Sequence, residues 1–271
     1  MMLEWLGMPV AGAAHAGEVD EVMVLVHWLM LVLFVGWSIF FGYVLIRFRR
    51  KAHPVASYDG LRGRWSTWLE GGVLVAEIVL LAFFSIPVWS ARVDAFPPER
   101  EATVVRVVAE QFAWNVHYPG PDGRFGRTDL ALLGPANPLG LDRSDPAGRD
   151  DITTINQLFL PVNRPAIIYL SSKDVVHSFA LPQMRVKQDA IPGIVQPVWF
   201  TPTQTGQWEI ICSQLCGLVH YRMVGSYTVQ PQAQFDAWLA AEAAIPGGPS
   251  GSTLVQHQTT SGKGESSSDG A

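Results

Sequence analysis

The run Cys212-Ser-Gln-Leu-Cys216-Gly-Leu-Val-His220-Tyr-Arg-Met223 places two thiols, an imidazole and a thioether within twelve residues. Thiolate and thioether are soft donors that suit copper, and imidazole suits it too. A mononuclear blue-copper centre takes one Cys, two His and a weak, distant Met. This run has one Cys too many for such a centre, which points to a second ion. Two thiolates bridging two copper ions would leave each ion a terminal imidazole and a weak axial donor. The run supplies one imidazole, so the other must come from elsewhere in the chain. His177, in Asp174-Val-Val-His-Ser-Phe179, is the best-placed candidate, between a strand and a Pro-containing turn.

Blander readings compete with this one. Cys212 and Cys216 are the only cysteines, and a disulfide between them would close a loop too small to restrict the unfolded chain much. Met223 alone reads as core filler and His220 alone as an ordinary surface or core histidine. Zinc accepts Cys and His, but a Met ligand makes it a poor second. The joint spacing favours copper.

Such donors need a rigid support. From about Thr103 the chain reads as short strands separated by Pro and Gly turns, with candidates at Thr103 to Ala109, Ala166 to Leu170, Val195 to Phe200, Gln207 to Ile211 and Met223 to Val229. No long amphipathic helix intervenes, so a β-sandwich or barrel over residues 99–245 is expected. Pro119 to Asp151 is a long Gly-, Pro- and Asp-rich loop, either functional or a surface elaboration. Its acidic stretch Asp142 to Asp151 reads first as a solvated loop, second as a surface that attracts a basic partner. Phe235 to Ala244 suits a short closing helix, and residues 246–271 form a Gly/Ser/Thr/Gln tail expected to be disordered.

The support must also be anchored. Val22 to Ile46 contains no Asp, Glu, Lys or Arg and exceeds the roughly 20 apolar residues needed to cross a bilayer. A second run, about Thr67 to Trp89, is also long enough but includes Glu70 and Glu77, two helical turns apart on one face. A carboxyl facing lipid is costly, so that face should meet another membrane protein or a wet pathway. Trp28, Trp65, Trp68 and Trp89 are candidate interfacial anchors. The expected spans are residues 21–48 and 67–91, joined by residues 49–66. Arg47, Arg49, Arg50, Lys51, Arg62 and Arg64 lie at or between them, so this loop is cytoplasmic and both termini lie outside. Residues 1–20 form an extracytoplasmic segment. Its Ala14-His15-Ala16 resembles a processing site, but no basic cluster precedes it, which leaves cleavage open. The net charge of −5 argues against nucleic acid as a partner.

The pattern Cys-x3-Cys-x3-His-x2-Met resembles the copper-A motif of cytochrome c oxidase subunit II. The likeness extends to His-Ser-Phe at His177, to Lys187-Gln-Asp-Ala-Ile-Pro-Gly193 and to the helical hairpin, most of residues 20–230. It implies a two-helix transmembrane hairpin followed by an all-β cupredoxin-like domain, a Greek-key sandwich or barrel. The implied dinuclear copper ligands are His177, Cys212, Cys216, His220, Met223 and the backbone carbonyl of Gln214, the last on the resemblance alone. The implied role is to accept electrons from a cytochrome c-type donor and pass them to haem in a polytopic subunit I. Oxygen reduction and proton translocation take place in that subunit. Subunit III is a further expected neighbour, and the expected location is a bacterial inner membrane with the C-terminal domain periplasmic.

Three positions depart from the family pattern or need assignment. Gln214 stands where many members carry Glu, which serves a magnesium or manganese site shared with subunit I. An amide cannot supply that charge, so this second metal is not expected in its usual form. In Gln111-Phe-Ala-Trp-Asn-Val-His-Tyr118 the aromatic at which electrons usually arrive corresponds to Phe112, and Trp114 matches a second Trp. Either is a candidate for electron acceptance, or both are buried strand residues. Glu70 sits where members place a carboxylate at the mouth of a proton pathway. Glu77 matches no known role. No Cys-x-x-Cys-His occurs, so a fused c-type haem is not expected. A membrane-tethered copper-binding or delivery protein is the alternative from a different class. A quinol-oxidase subunit of the same fold would generally lack the copper ligands.

Overall fold

The computed structural model describes residues 2–55, 58 and 63–244. Arg62 of the basic loop and the 246–271 tail lie outside the described residues.

Two long helices precede the β domain. Helix α1 spans Ala16–Arg47 and α2 spans Trp65–Val93, 32 and 29 residues. At about 1.5 Å per residue each outruns the ~30 Å hydrocarbon core of a bilayer. Neither apolar window is buried within the chain, so lipid or a partner must cover them. α1 starts N-terminal to its uncharged run and takes in Glu18, Asp20 and Glu21. These charges belong at headgroup level, where a helix can continue beyond the hydrocarbon. Within α2, Leu81–Ser85 is wound as a π-helical turn just before Pro87. Proline lacks an N–H and crowds the preceding turn, and local widening relieves both problems.

Ten strands follow among the described residues: β1 (Thr103–Glu110), β2 (Ala113–Tyr118), β3 (Ile152–Ile155), β4 (Gln157–Pro161), β5 (Ala166–Ser172), β6 (His177–Leu181), β7 (Val186–Ala190), β8 (Gln196–Phe200), β9 (Gly206–Cys212) and β10 (Val224–Gln230). They form two five-stranded sheets, ordered β3-β2-β1-β5-β8 and β4-β10-β9-β6-β7. This is the all-β, cupredoxin-like sandwich expected. Alternation sets which face turns inward: in β1, Val105, Val107 and Ala109 are buried, while Val104, Arg106 and Val108 face out. β1 runs parallel to β5, pairing Val105 with Ile168 and Val107 with Leu170, so the inward set of one strand meets that of the next.

Large side chains from both sheets fill the interior, among them Trp114, Tyr118, Phe179, Phe200 and Tyr227, each at most 1% exposed. Each such burial contributes about 1.5–3 kcal/mol. Tyr118 ties the sheets together: its hydroxyl donates to the Phe159 carbonyl (3.1 Å) and accepts from the Phe159 N–H (2.7 Å). Helix α3 (Gln232–Ala243) closes one end of the sandwich, with Phe235 buried and Trp238 stacked on Phe159 at 4.4 Å.

The segment before α1 is docked on the β domain. Gly12 N–H donates to Gln183 O (2.7 Å) and Ala14 N–H to Thr201 O (2.9 Å). Arg185, at the β6–β7 turn, donates to both Asp20 carboxylate oxygens (2.7 and 3.1 Å) and to the carbonyls of Pro9, Val10 and Pro182. A fork of five N–H donors is thus shared among the N-terminal segment, α1 and the sandwich.

Candidate metal centre

Strand pairing assembles the site. β9 ends at Cys212 and β10 begins at Val224, and the two are antiparallel neighbours, with Val224 opposite Ile211. The connection between them is therefore a long hairpin loop whose first and last donors, Cys212 and Met223, start side by side. The Cys212 N–H reaches Met223 O at 3.4 Å. β6 flanks β9 on its other side, with Phe179 opposite Cys212, which carries His177 to the same end of the sheet. Ser213 N–H donates to Ser178 O (2.9 Å) and pins the loop to β6. A 3₁₀ turn, His220–Arg222, then folds the loop back over itself.

The donors converge. His177 Nδ1 lies 3.1 Å from Met223 Sδ and 3.9 Å from Cys212 Sγ. Cys212 Sγ lies 3.8 Å from Cys216 Sγ and 3.2 Å from the Gln214 carbonyl. Cys216 Sγ is 3.7 Å from Met223 Sδ and 3.5 Å from His220 Nδ1. Every donor singled out in the sequence is thus within 4 Å of at least one other. The His177, Cys212 and Cys216 donor atoms all lie within 4.8 Å of one another. The thiols are free, and their separation is far beyond the ~2.05 Å of a disulfide. Burial, then hydrogen bonding with Cys212, pushes the Cys216 thiol up to about 11, so a metal must displace a firmly held proton there. His177, Cys212, Cys216 and Met223 are buried, His220 is half-buried and Gln214 is exposed.

The supporting groups around these donors had no signal in the sequence. Asp174 Oδ1 lies 2.9 Å from His177 Nε2, which leaves Nδ1 facing the sulfurs. Burial works to raise the Asp174 pKa, but hydrogen bonds from His177 and from the Gln111 and Val175 N–H groups outweigh it and hold it below the usual range. From the β1–β2 turn, Gln111 Nε2 donates to the Cys216 carbonyl (2.6 Å). Gly217 sits above this contact at φ +141, where a Cβ would come within 2.7 Å of Gln111 Nε2. The backbone conformation favours glycine there, and a Cβ would push the Gln111 amide off the Cys216 carbonyl.

Of the two aromatic candidates, Trp114 is fully buried, edge-on to the His177 ring at 6.2 Å. Phe112 is half-buried, and its ring would lie 3.2 Å from a Cβ on Gly217. Glu70 and Glu77 are exposed on α2, away from these donors.

A β-sandwich that carries two membrane-length apolar helices and a thiol, imidazole and thioether pocket at one end defines a class of membrane-anchored cupredoxin-like subunit, and relatives narrow it. Residues 138–229, which hold all the donors, match the family model described as cytochrome C oxidase subunit II, periplasmic domain. The chain is 32% identical to the alternative cytochrome c oxidase subunit 2 of Bradyrhizobium diazoefficiens, over 95% of this chain and 91% of that protein. It is 29% identical to cytochrome c oxidase subunit 2 of Cereibacter sphaeroides, over 88% of this chain and 82% of that one. The crystal structure of the periplasmic domain of subunit II of cytochrome oxidase from Bradyrhizobium japonicum is 28% identical, covering 55% of this chain and 96% of that one, at a TM-score of 0.40. The chain belongs to the cytochrome c oxidase subunit 2 family. It is accordingly an oxidoreductase component of a haem-copper oxidase that works in complex with other subunits. Its two apolar helices and its periplasmic-type domain make it a membrane-anchored subunit with an extracytoplasmic β domain.

Proposed function

We propose that His177, Cys212, Cys216, His220, Met223 and the Gln214 carbonyl hold a dinuclear copper-A centre. The observation that carries this reading is the convergence of two free thiols, two imidazole Nδ1 atoms, a thioether and a carbonyl at one end of the sandwich. The donor chemistry fits the group: Cys212, Cys216, His177, His220, Met223 and the Gln214 carbonyl would together supply the thiolate, imidazole and weak donors that a two-copper centre takes. When bound, the pair supplies one-electron chemistry between a cytochrome c-type donor and the haem of subunit I.

The chain's own residues bind, orient and exclude water. Asp174 holds the His177 tautomer, Gln111 holds the backbone at Cys216, and Trp114 and Phe179 close the floor beneath His177. Donors held by strands and by these supporting hydrogen bonds would keep the site pre-organised. Phe112, reaching the surface beside Gly217, is our candidate for the side on which the donor docks; Trp114 then serves as packing. Glu70, near the cytoplasmic start of α2, is our candidate for the mouth of a proton pathway into subunit I. Subunit III is a further proposed neighbour. With an amide at Gln214, no magnesium or manganese site of the usual form is proposed. The domain limits follow the same reading, with the hairpin in a bacterial inner membrane and residues 99–245 on the periplasmic side.

The test is copper content and electron paramagnetic resonance of the purified full chain. Two coppers per chain, with one unpaired electron's hyperfine pattern shared over both nuclei, are expected. One copper with a localised spectrum, or zinc, would reject the ligand set and favour a copper carrier.

A further inference from the structure

A cleft of about 530 Å³ opens where the outer ends of α1 and α2 meet the sandwich. Its membrane side is apolar, lined by Val22 and Met23 of α1, Val88 and Trp89 of α2, and Trp199 of β8. Its upper side carries three cations, Arg92, Arg185 and Lys187, and no carboxylate lines it. Arg185 is fully engaged by Asp20 and three carbonyls. Arg92 lies over the Trp199 ring at 4.7 Å and is 3.8 Å from Glu18, a loose pair. Among the described residues, no ion pair to Lys187 is found.

Two buried polar atoms in this wall have no partner: Arg92 Nε and His15 Nδ1. His15 is 4% exposed, so its Nδ1 has little access to bulk water. Nδ1 therefore needs a partner from outside the chain, and a hydroxyl, which both donates and accepts, suits either tautomer. A buried polar group without a partner needs an explanation, and two of them in one cationic wall are consistent with a polar occupant.

The level of the cleft says what the occupant is. Val22 opens the uncharged run of α1, so the apolar wall begins at the hydrocarbon edge and the cations stand at headgroup height. Lys and Arg at that height attract anionic lipid, and their stems run along apolar surface to reach it. We infer that this cleft binds one anionic phospholipid of the outer leaflet: its phosphate meets Lys187 and Arg92, a headgroup hydroxyl hydrogen-bonds with His15 Nδ1, and an acyl chain lies against Val22, Met23 and Val88. Phosphatidylglycerol offers both the charge and the hydroxyl, whereas phosphatidylcholine offers neither a net charge nor a donor. The inference is independent of the copper assignment, since no copper-site donor lines the cleft.

The test is native mass spectrometry of the full chain in detergent micelles, titrated with dioleoylphosphatidylglycerol, dioleoylphosphatidylcholine or inorganic phosphate. Wild type is expected to retain one phosphatidylglycerol in clear preference to phosphatidylcholine, and matched inorganic phosphate should not displace it. Lys187→Gln should weaken phosphatidylglycerol about fivefold, and Arg92→Gln with Lys187→Gln roughly twentyfold, with phosphatidylcholine unaffected. Circular dichroism of both variants must match wild type, and because Lys187 makes no ion pair its single variant isolates binding from folding. Equal retention of the two lipids, equal retention by the variants, or displacement by phosphate alone would overturn the inference. So would an assembled oxidase that lacks the lipid and cross-links Lys187 to a carboxylate of a neighbouring subunit.

Discussion

The chain has two long irregular loops on its β domain, and they are built on opposite plans. The 119–151 loop satisfies itself. Asp151, 3% exposed, accepts from His117 Nε2 (2.6 Å) and from the N–H groups of Gly120 and Gly126, and its own carbonyl accepts from Arg143 (2.6 Å). Asn137 bonds both ways with the Leu141 backbone, and hydrogen bonds from Ser144 and Arg127 hold the Asp142 carboxyl down at about 2. The 212–223 loop instead turns its side chains toward one another as soft donors and takes its rigidity from β6 and from the β1–β2 turn. A loop that only needs a shape can spend its polar groups on itself. On the proposed copper reading, the 212–223 loop has to be held by others, so that its own donors stay available.

The sharpest break in this comparison is Cys216→Ser. A hydroxyl is a poor substitute for a bridging thiolate, so the full chain should lose the shared-spin spectrum and fall to at most one copper. Thermal unfolding of the copper-free protein should move little, since the loop ends stay pinned by strand pairing. A retained two-copper spectrum would mean that Cys216 is not a bridge.

Asp151→Ala tests the other loop. It strands a buried imidazole and two amide N–H groups, at a cost of about 3 kcal/mol. The expected result is a lower Tm with the copper spectrum at room temperature unchanged. A spectrum altered along with the Tm would show that the two loops are coupled.

Asp174→Asn sharpens the idea of borrowed rigidity. The amide keeps the size of the side chain but loses the charge that fixes the His177 tautomer, and comparable outer-shell losses lower metal affinity about 10–100-fold. Copper competition against a chelator reads this directly. The Gln substitution at Asp174, longer by one methylene, should do worse than Asn if position matters as well as charge. Unchanged affinity in both would reduce Asp174 to a loop cap.

How much of this was legible follows from distance along the chain. The Cys212-to-Met223 donors could be read because they share one hairpin loop, where spacing alone says that they meet. His177 was found by asking what the motif lacked, and β6–β9 pairing supplies the reason that it arrives. Five strands matched apolar runs, but β6 is buried at every position and β7 has three polar residues in a row between Val186 and Ala190, so neither stands out as a strand in the sequence. Gln111 reaches Cys216 across 105 residues, and His117 meets Asp151 across 34, separations at which one sequence carries no pairing signal. The docking of residues 9–20 on Arg185 was hidden for the same reason.

The smallest expected effect concerns where a donor protein touches the metal end. Both aromatics of the β1–β2 hairpin were candidates, but burial separates them: Trp114 offers no surface, while Phe112 is half-exposed beside the ligand loop. The exposed side chains of Leu215, Leu218 and Tyr221 stand on that same loop, which makes an apolar rim suited to a transient partner. Phe112→Ala in the assembled oxidase should therefore raise KM for a cytochrome c-type donor about fivefold, the loss of roughly 1 kcal/mol at a contact of ordinary strength. The copper spectrum should stay as it was. Trp114→Phe should leave that KM alone and lower the Tm instead, because it thins the packing under His177. If Trp114→Phe changes KM and Phe112→Ala does not, electrons arrive by the buried ring, and exposure is the wrong guide to the docking face.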